Sequence, residues 1–257
     1  MGDEQKMIEL LNFKIILVSA ALLILVLFEN IFPKEVIKFK IKIKRTLKNV
    51  FLWLLNIGLT PILILPITIA ATSLNLHNFF IIENIIMQFL FHLIIYYIFL
   101  YFWHRANHEI PFLWRFHHVH HLDETLDVSS GIRFHFGEVI LSTIVRCIVI
   151  IMFNISLLNL ILIEAIVLTS SVFHHSNIKL PTKLEKILSF IIVTPSIHWV
   201  HHHKRQKETD ANYCAIFSFW DLIFKTKSNF KRYKGMPIGV EGDREQSLIK
   251  LITRPLK

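Results

Sequence analysis

The sequence predicts an all-α integral membrane helical bundle, with about three spanning helices plus a helical hairpin, closed at its cytoplasmic face by a helical cap built from histidine boxes. Three observations lead there. Hydrophobic residues make up 53 % of the 257 residues, and a mean hydropathy of +0.51 is too apolar for a soluble domain that must cover a large surface with polar groups. Long uncharged runs match the roughly 20 apolar residues that a bilayer crossing needs. The 15 histidines are gathered into tight groups instead of being spread along the chain. With seven Gly and two Cys, disordered, collagen-like and disulfide-scaffold classes are excluded. Cys147 and Cys214 fall in unrelated segments with no C-x-x-C pair, so they read as packing residues. The net charge of +9 sits beside apolar stretches, not among stacking aromatics, which argues against a nucleic-acid partner.

Taken in order, the first apolar segment runs from Ile8 to Phe28 and is free of charge from Ile15 onward. Its net acidic start, and the lack of a small-x-small pattern before Lys34, make it a retained span and not a cleaved signal peptide. Val50 to Leu76 and Asn84 to Trp103 are uncharged and supply the second and third spans. Val139 to Phe173 is apolar again but is broken by Arg146, Glu164 and the Asn154/Asn159 pair, which suits a hairpin of two helices, each too short to span comfortably. Positive charge in short loops marks the cytoplasmic side. The Lys34 to Lys48 segment carries seven Lys/Arg against one Glu35, and from His174 onward there are 15 Lys/Arg against 7 Asp/Glu. Both therefore face the cytoplasm, with the amino terminus and the uncharged Ser73 to Phe80 connection outside. The Lys38 to Lys44 alternation reads as a segment at the anionic headgroup surface. Organisation follows as one membrane domain over 1–257, with membrane helices over 8–100, a histidine-rich region over 101–226 and a basic cytoplasmic tail over 227–257.

Six histidines lie between His104 and His121, and four more between His198 and His203. His104 and His108 are i and i+4 on the helix that continues out of the third span, so both point from one face. His117, His120 and His121 are i, i+3 and i+4, an arc of roughly 100° on a helix, and His198, His201 and His202 repeat that spacing. His118 lies at the arc's edge and His203 points away. Imidazole suits Fe, Zn, Cu and Ni, and helices projecting several His inward can hold more than one metal without thiolates. His77 and His92 read as isolated residues, His92 as an intramembrane hydrogen-bonding group.

The order H-x-x-x-H (His104, His108), H-x-x-H-H (His117, His120, His121), R-x-H-x-x-E (Arg133, His135, Glu138), H-S-N (His175, Ser176, Asn177), then H-x-x-H-H (His198, His201, His202) resembles the fatty acid hydroxylase and sterol desaturase superfamily. Thr194-Pro195, Asp210-x-Asn212-Tyr213 and Trp220-Asp221-x-x-Phe224-x-Thr226 extend the resemblance, which spans about half the chain. It implies a membrane-bound non-haem di-iron oxygenase. Its two Fe ions would be ligated by His104, His108, His117, His120, His121, His135, His175, His198, His201 and His202, with O2 as co-substrate. His174 stands as an alternative to His175, and His135 as an outer residue. Beside the ligands, His118, His174, Glu138, Asp210, Asn212 and Tyr213 would orient imidazoles, although Asn212 and Tyr213 equally suit a turn. Phe136, Cys214 and Lys225 stand where such sequences carry Pro, Gly and Gly, which bears on turn geometry and not on ligands.

The resemblance further implies hydroxylation or desaturation of a C–H bond in a lipid drawn from the bilayer, whether sterol, fatty acyl or related. No electron-transfer domain is recognisable, so an external ferredoxin or b-type cytochrome with its reductase is expected. The competing reading is a His-rich protein that binds or transports divalent metal without redox chemistry. A transport path would place ionisable groups near the middle of several spans, whereas nearly all the histidines lie outside them.

Overall fold

The computed structural model describes residues 3–74 and 82–256, so His77 and most of the Ser73 to Phe80 connection lie outside the described residues. Among the described residues there is no strand, only isolated bridges such as Pro33 with Ile178. Among the described residues, five helical stretches are long and apolar enough to cross a membrane: Ile8–Ile31, Phe39–Ser73, Ile85–Glu109, Phe136–Phe153 and Leu157–His175. The first belongs to α1 (Asp3–Ile31). The second is α2 (Phe39–Leu59), a π-helical turn (Thr60–Ile64) and α3 (Leu65–Ser73). Pro61 and Pro66 lie at the junctions of these three pieces, where the change of helix type accommodates the missing N–H groups. The Lys38 to Lys44 stretch, read as a segment at the headgroup surface, forms from Phe39 onward the first turns of α2. Arg45, the next residue, is buried and bound to Asp123 at 3.1 Å and to Asp127.

The third span, α4 (Ile85–Glu109), starts at Asn84, whose side chain accepts the N–H groups of Ile86 and Met87. It continues without a break through His104 and His108, as the sequence predicts. The hairpin is α6 (Phe136–Phe153) and α7 (Leu157–His175). Asn154 ends α6 in the left-handed conformation at φ 52°, and Ser156 caps α7. At 18 and 19 residues each reaches about 27–29 Å, close to the ~30 Å hydrocarbon core. The expectation that they are too short reflects starting the segment at Val139 and ending it at Phe173, because both helices run on into the histidine cap.

α1 and α2 carry exposed Phe13, Ile15, Ile16, Leu23, Leu47 and Leu54, the apolar outer surface expected of helices facing lipid. The buried core between α3, α4, α6 and α7 includes Ala71, Tyr96, Tyr97, Ile150, Leu160 and Ile163. His92 lies within this bundle and bonds Asn159 at 2.9 Å, the hydrogen-bonding role expected for it. The cap consists of α5 (Pro111–His121), a 3-10 turn (Val128–Ile132), α8 (Thr182–Leu188), α9 (Pro195–His201), α10 (Gln206–Thr209), α11 (Phe219–Ile223) and α12 (Leu248–Thr253). All of it gathers at one end of the bundle together with the Lys34 to Lys48 segment, which bonds Asn177 through Lys34 and Glu245 through Lys48. The tail folds back as well: Leu251 is fully buried against Leu52, Val119 and Leu122.

Candidate metal centre

Pro111 creates the first corner of the site. A residue before proline is pushed to extended backbone, and Ile110 (φ −96°, ψ 113°) ends α4 and caps α5 at once. The chain doubles back, so His104 and His108 of α4 face His117 and His121 of α5, with ring centroids 5.0 Å apart for His104–His117 and 4.8 Å for His108–His121. Thr194-Pro195 similarly opens the short α9, with Pro195 at its first turn and His202 as its C-cap. Trp199 of α9 donates its Nε1–H to the carbonyls of His175 and Ser176 at the end of α7.

Two groups of imidazole nitrogens result, each with all its ligand atoms within 4.8 Å: His104, His108, His117, His121 and His201 in one, His120, His175, His198 and His202 in the other. Each i, i+3, i+4 triplet is divided between them. In α5 the i and i+4 residues serve the five-histidine group and the i+3 residue the four-histidine group; in α9 and its cap the assignment is reversed. The groups adjoin, with His121 and His202 stacked at 4.2 Å between centroids.

The hydrogen-bonding pattern tests whether a metal fits. His120 Nδ1 lies 3.0 Å from the Arg133 carbonyl and His175 Nδ1 lies 2.7 Å from the Ser171 carbonyl. A carbonyl only accepts, so both Nδ1 atoms carry hydrogen and both Nε2 atoms carry lone pairs. Those Nε2 atoms face each other at 3.0 Å, a repulsive contact unless a cation is shared. Two nitrogens each about 2.1 Å from one cation could approach this closely without repulsion. His198 Nε2 continues the series at 2.9 Å from His175 and 3.1 Å from His202. In the other group Nδ1 of His104 and of His201 donates to the carbonyls of Tyr213 and Ala211, and the buried Nε2 atoms of His108 and His201 have no partner among the described residues. Burial holds His120, His121, His198 and His202 neutral well below the ordinary 6.5, with nearby histidines adding to the effect. His201 is lowered to about 3, again first by burial. The nitrogens are therefore free to ligate at neutral pH.

Of the expected orienting residues, Glu138 accepts from His117 Nδ1 at 2.8 Å and Asp210 contacts His108 Nδ1 at 3.3 Å. Tyr213 acts through its carbonyl and the face of its ring. Asn212 does not reach an imidazole; at φ 56° it forms a turn, bonding the Ile197 carbonyl and the Ser228 N–H. Asp221 fixes this segment by accepting the N–H groups of Tyr213 and Cys214. His135 is not brought to either group, because Nδ1 accepts the Gly137 N–H at the start of α6 and Nε2 bonds the Ile252 carbonyl of the tail. His174 is buried with its ring 3.9 Å from that of His198, also outside the two groups. His118 accepts from Arg254, burial and that guanidinium holding it at about 4. His203 accepts the Arg205 N–H and packs on Phe230.

Sequence reasoning missed the support beneath the site. Arg133 is fully buried, donating to Val119, Asn49 and Glu245, while its carbonyl orients His120. Asp123 joins Arg45, Asn49 and Ser130. Backbone carbonyls leave no side-chain signal, and the ion partners are too distant in the chain to be paired by inspection. A cavity of about 430 Å³ extends from His104, His117, His120 and His175 along Leu100, Trp103, Phe134, Val139 and Leu168.

An all-helical bundle with helices long and apolar enough to cross a membrane, and with two adjoining imidazole groups able to hold metal beside an apolar cavity, defines a membrane protein with a candidate metal site. The fatty acid hydroxylase family model matches residues 89–226, and the chain belongs to that family. It is 29 % identical over 190 residues to the ornithine lipid hydroxylase OlsE of Rhizobium tropici, covering 73 % of this chain and 56 % of that protein. The alkylglycerol monooxygenases of Danio rerio and Homo sapiens are 32 % and 30 % identical over 127 residues, 49 % of this chain and 27 % of theirs. The chain thus spans about half the length of the first relative and a quarter of the others. No solved structure matches.

Proposed function

We propose that the chain is a membrane-bound, O2-dependent di-iron oxygenase that hydroxylates a C–H bond of a lipid. The observation that carries this reading is the facing pair of lone-pair-bearing nitrogens on His120 and His175, at the end of an apolar cavity open to a lipid chain. One iron would be held by His104, His108, His117, His121 and His201, the other by His120, His175, His198 and His202. When bound, such a pair supplies the redox chemistry by which O2, two electrons and two protons convert C–H to C–OH and water. Glu138 and the carbonyls of Arg133, Ser171, Ala211 and Tyr213 fix the rings and raise ligand basicity. Trp103, Phe134, Val139 and Leu168 hold the chain of the substrate and exclude water. Asp210, 40 % exposed, offers a carboxylate for proton passage between solvent and the His108 side of the site.

The names of the relatives favour hydroxylation over desaturation. The electrons come from a separate ferredoxin or b-type cytochrome with its reductase, which requires the cap to face the cytoplasm; the basic Lys34 to Lys48 segment at the same end of the bundle supports that side. The test supplies membranes containing the chain with donor, reductase, nicotinamide cofactor and lipid extract under 18-O oxygen gas. One labelled oxygen per product lipid is expected, with turnover lost under nitrogen and after iron chelation. Product formed without O2 would overturn the reading.

A further inference from the structure

The cavity has a second end that the oxygenase reading leaves unused. About two helical turns from Glu138 along α6, Arg146 lines the cavity, and Lys14 of α1 and Glu164 of α7 line it beside that guanidinium. Lys14 Nζ lies 2.7 Å and Arg146 Nη1 2.9 Å from the two oxygens of Glu164. Two cations therefore share one carboxylate; among the described residues neither has a second acidic partner. Arg146 also donates to Thr143, but its Nε–H is buried without a partner. The cluster carries a formal charge of +1 inside spanning helices. An uncompensated charge there is costly, and an ionisable group kept at that depth is a site by default.

We propose that Lys14 and Arg146 bind an anionic group of the lipid, a carboxylate or a phosphate monoester, whose chain runs up the cavity to the histidine end. This rests on the oxygenase reading only for the fate of the other end of the chain. An anion completes the neutrality of the cluster. Helix rise sets the ruler. Glu138 to Arg146 spans about 12 Å and Glu164 to His175 about 16 Å, so at roughly 1.25 Å per carbon of an extended chain the carbon presented to the histidines lies about 10–13 carbons from the anionic group.

The test uses the full chain in neutral-lipid nanodiscs at pH 8, with hexadecanoate, hexadecyl phosphate and hexadecanol as probes, binding being corrected for partition into empty discs. At least one anion should bind about tenfold or more tighter than the alcohol, and which one distinguishes carboxylate from phosphate recognition. Lys14→Met and Arg146→Gln should each lower binding of that anion about tenfold and leave the alcohol unchanged, whereas Arg146→Lys retains the preference. Glu164→Gln should tighten anion binding, a gain that a purely structural ion pair would not give. If Arg146→Gln does not fold, Lys14→Met, at the edge of the bundle, still decides. Equal affinity for all three probes, or variants that weaken alcohol and anion alike, would overturn the proposal. Oxygenation that ignores the charge of the lipid would sink it while leaving the oxygenase intact, and charge-selective binding with no O2-dependent product would do the reverse.

Discussion

Glu138→Ala isolates the contribution of a residue that touches no metal. Glu138 Oε1 accepts the His117 Nδ1–H at 2.8 Å, and both side chains are buried. Alanine leaves that N–H without a partner in a dry site, a loss of about 1–3 kcal/mol, or roughly 5- to 150-fold in affinity. This agrees with the ~10–100-fold typical of residues that orient a metal-bound histidine. Glu138→Gln keeps an acceptor oxygen and should lose less, about tenfold or under. The assay is a competition titration of the purified metal-free chain against a chromophoric chelator. Because His117 belongs to the five-histidine group only, one of two binding steps should weaken while the step assigned to His120, His175, His198 and His202 stays in place. Wild-type affinity at both steps would refute the orienting role. Equal weakening of both, with a lowered melting temperature, would mean that the carboxylate supports the fold and not one group.

Three further outcomes follow from the geometry. Burial keeps His120, His121, His198, His201 and His202 neutral in the fold, so below about pH 6.5 the unfolded chain binds more protons. Stability of the metal-free protein should be full above that value and fall by up to ~1.4 kcal/mol per pH unit per histidine on acidification; a melting temperature that is flat from pH 7.5 to 5 would contradict this. Gly131→Ala would set a Cβ 2.8 Å from Val172 Cα and 3.0 Å from the Ser171 carbonyl, costing about 1–3 kcal/mol and disturbing the bond from His175 to Ser171, seen as weaker binding at the four-histidine group. Lys225 stands at φ 57°, where a Cβ costs about 1–2 kcal/mol, so Lys225→Gly should raise stability by about 0.5–1 kcal/mol in thermal melts, the extra backbone entropy of glycine offsetting part of the gain.

The spans and the histidine boxes were legible in the sequence because both are periodic and local. Uncharged runs of bilayer length have few alternatives in water or lipid, and an i, i+3, i+4 spacing places three rings on one helical face wherever that helix sits. The start of the third span was legible at Asn84, whose side chain caps it, whereas the corners at Pro111 and Pro195 emerged only in the structure and helix ends were misjudged where apolar character gives way to histidine, as at both ends of the hairpin. What the sequence left open was how nine histidines divide. The assignment of His117, His121 and His201 to one group and His120, His198 and His202 to the other depends on the crossing of α4, α5, α7 and α9, which no single segment encodes. The same crossing sends His135 to the tail and Arg45 to Asp123 and Asp127. It also draws Lys14, Arg146 and Glu164 from three helices into one cluster. Each of these is a contact between residues far apart in the chain, set by which faces must be buried together, and that is decided by packing and not by local pattern.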